Sequence, residues 1–206
     1  MSSTAVVRFL NAYYLVAHVV VTAAAFLWLY FRYPEVYRRF RNVMVVMTVV
    51  GLALHLGYPL APPRMFPRFG FVDTARLFGP ASYGAGSPYK GFANQFAAMP
   101  SLHFGWALVI AWAVILASSS RWRYLVLAHP VLTLAAIVLT ANHYWLDAVA
   151  ALVLFAFALG VDRWWEQRRA RRRAERAEAQ AIVAASAALS DPGIGIDSRA
   201  PGGTTT

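Results

Sequence analysis

The sequence predicts an all-α fold, a polytopic bundle of membrane helices. Three observations carry that prediction. The 206 residues are 59% hydrophobic with a mean hydropathy of +0.49, more apolar surface than one soluble core of this size can enclose. The apolar residues fall into five runs, near 11–31, 42–57, 101–118, 124–141 and 144–161, each close to the ~20 residues a membrane helix needs. The basic residues sit beside those runs and in a tail, where membrane helices meet an anionic surface.

The first run ends in "RYPEVYRRFR" (32–41), not in a small-residue cleavage site, so it reads as a span and not as a signal peptide. After the second run comes a long connection, 58–100, rich in proline and glycine, and such loops are more often functional than plain linkers. Within it "FVDTARLFG" (71–79) is expected to form a short interfacial helix. "SSSRWR" (118–123) separates the third and fourth runs, and "DRWWEQRRARRRAER" (162–176) follows the fifth. The positive-inside rule places these three basic segments in the cytoplasm. Alternation of five spans gives the same answer, with 58–100, 141–144 and the N-terminus outside and the C-terminus inside. The expected organisation is a membrane-embedded domain over 1–161, a basic cytoplasmic helix over 162–189 and a disordered tail over 190–206.

A formal charge of +10 raises nucleic acid as a partner. The placement of that charge beside apolar runs favours the membrane instead, and no nucleic-acid partner is expected. There is no cysteine, which excludes disulfides and thiolate metal sites. Arginine supplies all of the basic side chains except Lys90.

Three polar clusters interrupt the apolar pattern: "GYPLAPPRMFP" (57–67), "NQFAAMPSLHFGW" (94–106) and "TANHYWLD" (140–147). The topology brings all three to the outer membrane boundary. On a helix, His143 and Asp147 at i, i+4 would share a face, so the carboxylate could orient the imidazole through one nitrogen. The other nitrogen would then be available to attack an electrophile or to bind a metal. The plainer alternative is a capped helix start with an incidental polar pair, but ionisable residues at membrane depth are functional by default. In "MPSLH", Pro100 suits a first helical turn, Ser101 offers a hydroxyl, and the unpaired N–H groups there favour an anion such as phosphate. His103 is then close enough to protonate a leaving group. Arg64 projects from the proline-stiffened "PLAPPR" and suits bidentate phosphate recognition, against the alternative of a snorkelling arginine. Lys90 is a candidate second phosphate ligand. His18 and His129 fall within spans and read as packing or interhelical contacts, while His55, near "PLAPPR", is a candidate to line the site. Trp106, Trp145, Trp164 and Trp165 fit an aromatic belt. A metal site ranks second, because five histidines are few and Arg64 opposes a cation.

These residues resemble a known family. "MPSLH" and "NHYWLD" look like the second and third signature motifs of the type-2 phosphatidic acid phosphatase superfamily, the membrane lipid phosphatases and phosphotransferases. With "PLAPPR" the set looks closer to the inositol phosphorylceramide synthase-like branch. The resemblance covers about residues 42–161 and implies a core of about six helices, hence five to six transmembrane helices here. It implies that His143 is a nucleophile that becomes phosphohistidine, that Asp147 orients it, and that His103 is the acid and then the base. Ser101 with its backbone N–H, and Arg64, would hold the phosphoryl oxygens, with no metal or other cofactor. The chain departs from the pattern where Gly57 stands in place of the lysine, Met65 follows Arg64, and Ile137 occupies the arginine position six residues before His143. Lys90 or Arg68 would replace the lost cations, and Asn142 or Asn94 would add a neutral donor. The expected substrate is a lipid phosphate or phospholipid in the plasma membrane, approached from the extracytoplasmic side. Its phosphate would pass to water or, alternatively, to a lipid hydroxyl. The competing class is a non-enzymatic carrier of anionic lipids.

Overall fold

The structure is a computed structural model and describes residues 2–79 and 96–190. Its helices are α1 (Ser2–Ala12), α2 (His18–Arg32), α3 (Pro34–Gly57), α4 (Thr74–Phe78), α5 (Leu102–Ala117), α6 (Ala128–Leu139) and α7 (Trp145–Ser190). A π-helical turn, Tyr13–Ala17, joins α1 to α2, and a 3-10 turn, Arg121–Leu127, leads into α6. Among the described residues no strand forms, and extended pairing is limited to one parallel bridge between Leu60 and Ala97. The all-α polytopic bundle is therefore observed, with four helices long and apolar enough to cross a membrane and a shorter apolar fifth, Leu102–Ala117. The chain divides into two compact units after Arg163.

The elements differ from the sequence expectation mainly at their ends. The first span starts at Thr4 and not near residue 11. The basic stretch 32–41, expected as a connection, is helical from Pro34 onward. Tyr33 alone breaks the path, at φ −141 and ψ 65, because a residue before proline avoids the α region while proline itself suits a first helical turn. The short helix expected within 71–79 forms as α4, its N-cap Asp73 accepting from the Arg76 N–H at 3.0 Å. "SSSRWR" closes α5: Arg123 donates to the Ser118 and Ile115 carbonyls at 2.8 and 3.3 Å, a cation on the negative end of the helix.

One core cluster joins Leu29 of α2, Phe40, Val43 and Met47 of α3, Val109, Ile110 and Ala113 of α5, and Leu154 and Ala158 of α7. On α3 the buried stripe continues through Gly51 to His55. On α7 it runs from Asp147 through Ala151, Leu154 and Ala158 to Asp162, with carboxylates at both ends and apolar residues between. Large apolar side chains such as Leu56 and Val153 point outward from the same helices, as they must where hydrocarbon is the solvent. Gly105 lets α5 close on α3, since a Cβ there would lie 2.5 Å from the Met47 terminal methyl.

A second cluster, Leu10, Tyr14, Ala136, Ile137 and Ala148, lies next to the α6–α7 turn. Asn11 of α1 fastens α4 nearby: Thr74 Oγ1 contacts Asn11 Oδ1 at 3.1 Å and the Thr140 carbonyl at 3.2 Å. The far end of the bundle is locked differently, by Arg39 Nε–H donating to Asp162 Oδ2 at 2.9 Å.

Candidate active site

The three polar clusters expected to converge do so. Leu60 N–H donates to the Phe96 carbonyl at 2.7 Å and Ala98 N–H to Leu60 at 3.3 Å, which pairs "PLAPPR" with "AAMPSLH". Arg64 N–H donates to the Ala141 carbonyl at 3.0 Å, and Ser101 N–H to the Asp147 carbonyl at 3.1 Å, which brings in "TANHYWLD".

The α6–α7 turn builds the centre. Ala141 adopts φ +55, a left-handed conformation that costs an alanine about 1 kcal/mol. The reversal lets both Asn142 and His143 N–H groups reach back to the Ile137 carbonyl, at 3.0 and 2.9 Å. His143 therefore sits in the turn and not on a helix, while Asp147 lies in the first turn of α7. The expected His–Asp contact forms, but by a different geometry from two residues on one helix face. Asp147 Oδ2 accepts from Tyr144 N–H at 2.9 Å, which caps α7, and lies 3.2 Å from His143 Nδ1. The Ala98 carbonyl is nearer still, 2.7 Å from the same nitrogen. Both partners are acceptors, so Nδ1 carries the hydrogen and Nε2 keeps the lone pair. Asp147 is 1% exposed, so this geometry is held away from water.

The Arg64 guanidinium is held as tightly. Nη1–H donates to Asn142 Oδ1 at 2.7 Å, Asn142 Nδ2–H to Thr140 Oγ1 at 2.7 Å, and Thr140 Oγ1–H to the Ala136 carbonyl at 2.5 Å. This chain of bonds polarises in one direction and ends in the backbone of α6. Asn142, expected as a donor to phosphate, thus serves as the acceptor that aims Arg64. Arg64 is buried within a 3-10 turn, Pro63–Met65, which does not fit a snorkelling side chain.

"MPSLH" also differs from its expectation. Pro100 precedes the helix, and Ser101 is the N-cap of α5, accepting from Phe104 N–H at 3.5 Å. Ser101 is fully buried, and its backbone N–H is donated to Asp147 and not turned outward as a phosphate donor. His103 follows in the first turn of α5, its ring centroid 6.5 Å from that of His143 and tilted by 54°. His55, a candidate to line the site, is buried there with Nε2–H donating to the Pro100 carbonyl at 3.0 Å. The signal in the sequence was its place at the end of the α3 stripe, just before "PLAPPR".

Ile137, at the family's arginine position, is fully buried in the second apolar cluster, so no cation is supplied from there. Arg68 is exposed and lies over the Phe69 ring at 4.8 Å. Lys90 and Asn94 lie outside the described residues. Among the described residues no three His, Asp or Glu side chains cluster as a metal site. A pocket of about 300 Å³ opens beside Asp147, lined by Leu60, Ala61, Met99, Tyr144, Trp145 and Leu146.

The family model described as the PAP2 superfamily matches residues 1–161, so the match takes in the first helix as well as the three clusters. No curated protein and no solved structure is a significant match.

Proposed function

The chain belongs to the PAP2 superfamily, and from that premise, which supports phosphatase- or phosphotransferase-type lipid chemistry in general, we propose a membrane lipid phosphatase working through a phosphohistidine. The observation that carries the reading is His143, whose Nδ1–H is directed to the Ala98 carbonyl and Asp147 while its Nε2 retains the lone pair.

In this reading the Nε2 lone pair attacks phosphorus. The bond from phosphorus to the lipid oxygen breaks, its electron pair leaves with that oxygen, and the His103 imidazolium protonates it. His103, now neutral, takes a proton from water as the water oxygen attacks the phosphohistidine. The P–N bond then breaks and returns its electron pair to Nε2. Arg64, aimed by Asn142, neutralises charge on the phosphoryl oxygens through both steps. The pocket beside Asp147 offers apolar walls to the substrate's hydrocarbon part. In this reading the site faces the extracytoplasmic side of the plasma membrane, an orientation that the basic segments support under the positive-inside rule.

A second reading shares the first half-reaction and replaces water with a lipid hydroxyl. It is favoured by the resemblance of the three motifs to the inositol phosphorylceramide synthase-like branch. A panel of lipid monophosphates and phosphodiester lipids, scored for released phosphate and new lipid products together, separates the two. Acid-labile phosphate trapped on His143 is expected under either reading. Lipid movement with no turnover on any substrate would instead favour a carrier.

Arg64→Ala is expected to raise KM and lower kcat/KM by roughly 10- to 100-fold, since a charge-assisted phosphate contact is lost and Asn142 is left without its donor. Steady-state kinetics with the best panel substrate checks this, and unchanged constants would remove Arg64 from the site.

A further inference from the structure

His103 must hold a proton and aim it, and its ring is gripped by aromatic faces. Tyr14 stacks on it at 4.3 Å between centroids with a 26° interplanar angle, and His18 lies on it at 4.5 Å and 42°. His18 in turn stacks on Trp106 at 5.2 Å and 24°. The indole N–H of Trp106 donates to Thr48 Oγ1 at 3.1 Å, and Thr48 bonds the Met44 carbonyl at 2.7 Å, which anchors the stack to α3. The order Tyr14, His103, His18, Trp106 alternates between two helical segments. Tyr14 and His18 come from the first, one turn apart, and His103 and Trp106 from α5. The π-helical turn Tyr13–Ala17 contains Tyr14 and ends just before His18, the two residues that embrace His103, and single π turns in helices recur at functional sites. His18 is buried, and its Nδ1 finds no hydrogen-bond partner among the described residues. What His18 offers His103 is its ring face.

We propose that Tyr14 and His18 are positioning residues that clamp the His103 ring between two aromatic faces and aim it at the bond broken by His143. The proposal rests on the reading of His103 as the acid. Flanking faces restrict rotation of the ring, so the acidic nitrogen stays oriented toward the departing oxygen. The electron-rich face of Tyr14 also attracts the imidazolium form, which opposes the cost of charging a half-buried ring. The histidine at 18, which looked like packing in the sequence, thus belongs to the acid's support.

The test compares His18→Leu, which fills the volume without an aromatic face, with His18→Phe, which keeps the face and removes the nitrogen. Full-length variants in detergent are first shown to elute as the wild type does. Single-turnover release of the alcohol is then followed for an alkyl lipid phosphate and for p-nitrophenyl phosphate, whose aryloxide departs without needing a proton. His18→Leu is expected to slow alkyl release roughly 10-fold or more and aryl release far less, while His18→Phe restores alkyl release to within about threefold of wild type. Tyr14→Leu and Tyr14→Phe should repeat the pattern. Equal slowing of both substrates, a phenylalanine variant as slow as the leucine one, or unchanged alkyl release in His18→Leu would each overturn the clamp. A wild-type protein that releases neither alcohol would overturn the underlying reaction, and the clamp with it.

Discussion

Replacing His143 with alanine is expected to lower turnover by roughly 10⁴-fold or more, with the protein still folded in the membrane, because in the proposed mechanism its Nε2 forms the covalent intermediate. The neighbouring Asp147→Asn change should cost less, on the order of 100-fold. The Ala98 carbonyl still accepts the Nδ1 hydrogen at 2.7 Å, so the reactive tautomer survives the loss of the carboxylate. What the amide substitution removes is the negative charge beside an imidazole that, in the proposed mechanism, becomes positive, together with part of the cap on Tyr144 N–H. Phosphate release and headgroup transfer, measured on both variants beside trapping of phosphohistidine, give the readout. Full activity in His143→Ala would end the mechanism. Equal losses in the two variants would mean that Ala98 contributes nothing to the tautomer.

Asp162→Ala is expected to destabilise the bundle by about 2–3 kcal/mol and to leave the chemical step of the folded protein unchanged. Asp162 is fully buried and its partner Arg39 only about a third exposed, so removing the carboxylate strands a cation beside apolar helices. Arg39 also lies 5.3 Å from the Trp112 ring centroid, a contact that survives and limits the loss. Asp162 is fifteen residues along α7 from Asp147, about 22 Å, so its effect on the site is indirect. Thermal or denaturant unfolding in detergent measures the cost. The double variant Arg39→Met/Asp162→Leu should recover most of it, since an apolar pair of similar volume suits this position as well as an ion pair does. A single variant as stable as the wild type would show that the lock contributes nothing.

How far the sequence could be read varied with the physics of each feature. The helices were legible because hydrocarbon demands long apolar runs, and the five runs became four helices long enough to cross a membrane and a shorter apolar fifth. Their ends were less so, since Pro34 starts a helix inside a basic stretch that hydropathy alone treats as a connection. His143, Asp147, His103 and Arg64 were legible as costly polar residues amid apolar sequence, and the structure gathers them at one end of the bundle. The parts played by Asn142, Ala98 and Ser101 were not. Each depends on a hydrogen bond to a residue at least 45 positions away, or on a backbone turn such as Ala141, where an alanine takes a conformation its type does not announce.

The sequence by itself determined the class of fold, the residues able to carry charge or a lone pair at membrane depth, and the motifs that identify the superfamily. Those follow from composition and local spacing, because burying a charge or exposing an apolar run to water is costly wherever the chain goes. Only the tertiary structure decided which nitrogen of His143 keeps its lone pair, which group aims Arg64, and that Tyr14 and His18 lie against His103. Hydrogen bonds and ring contacts act over a few ångströms and depend on direction, so they exist only once distant helices have been packed into register.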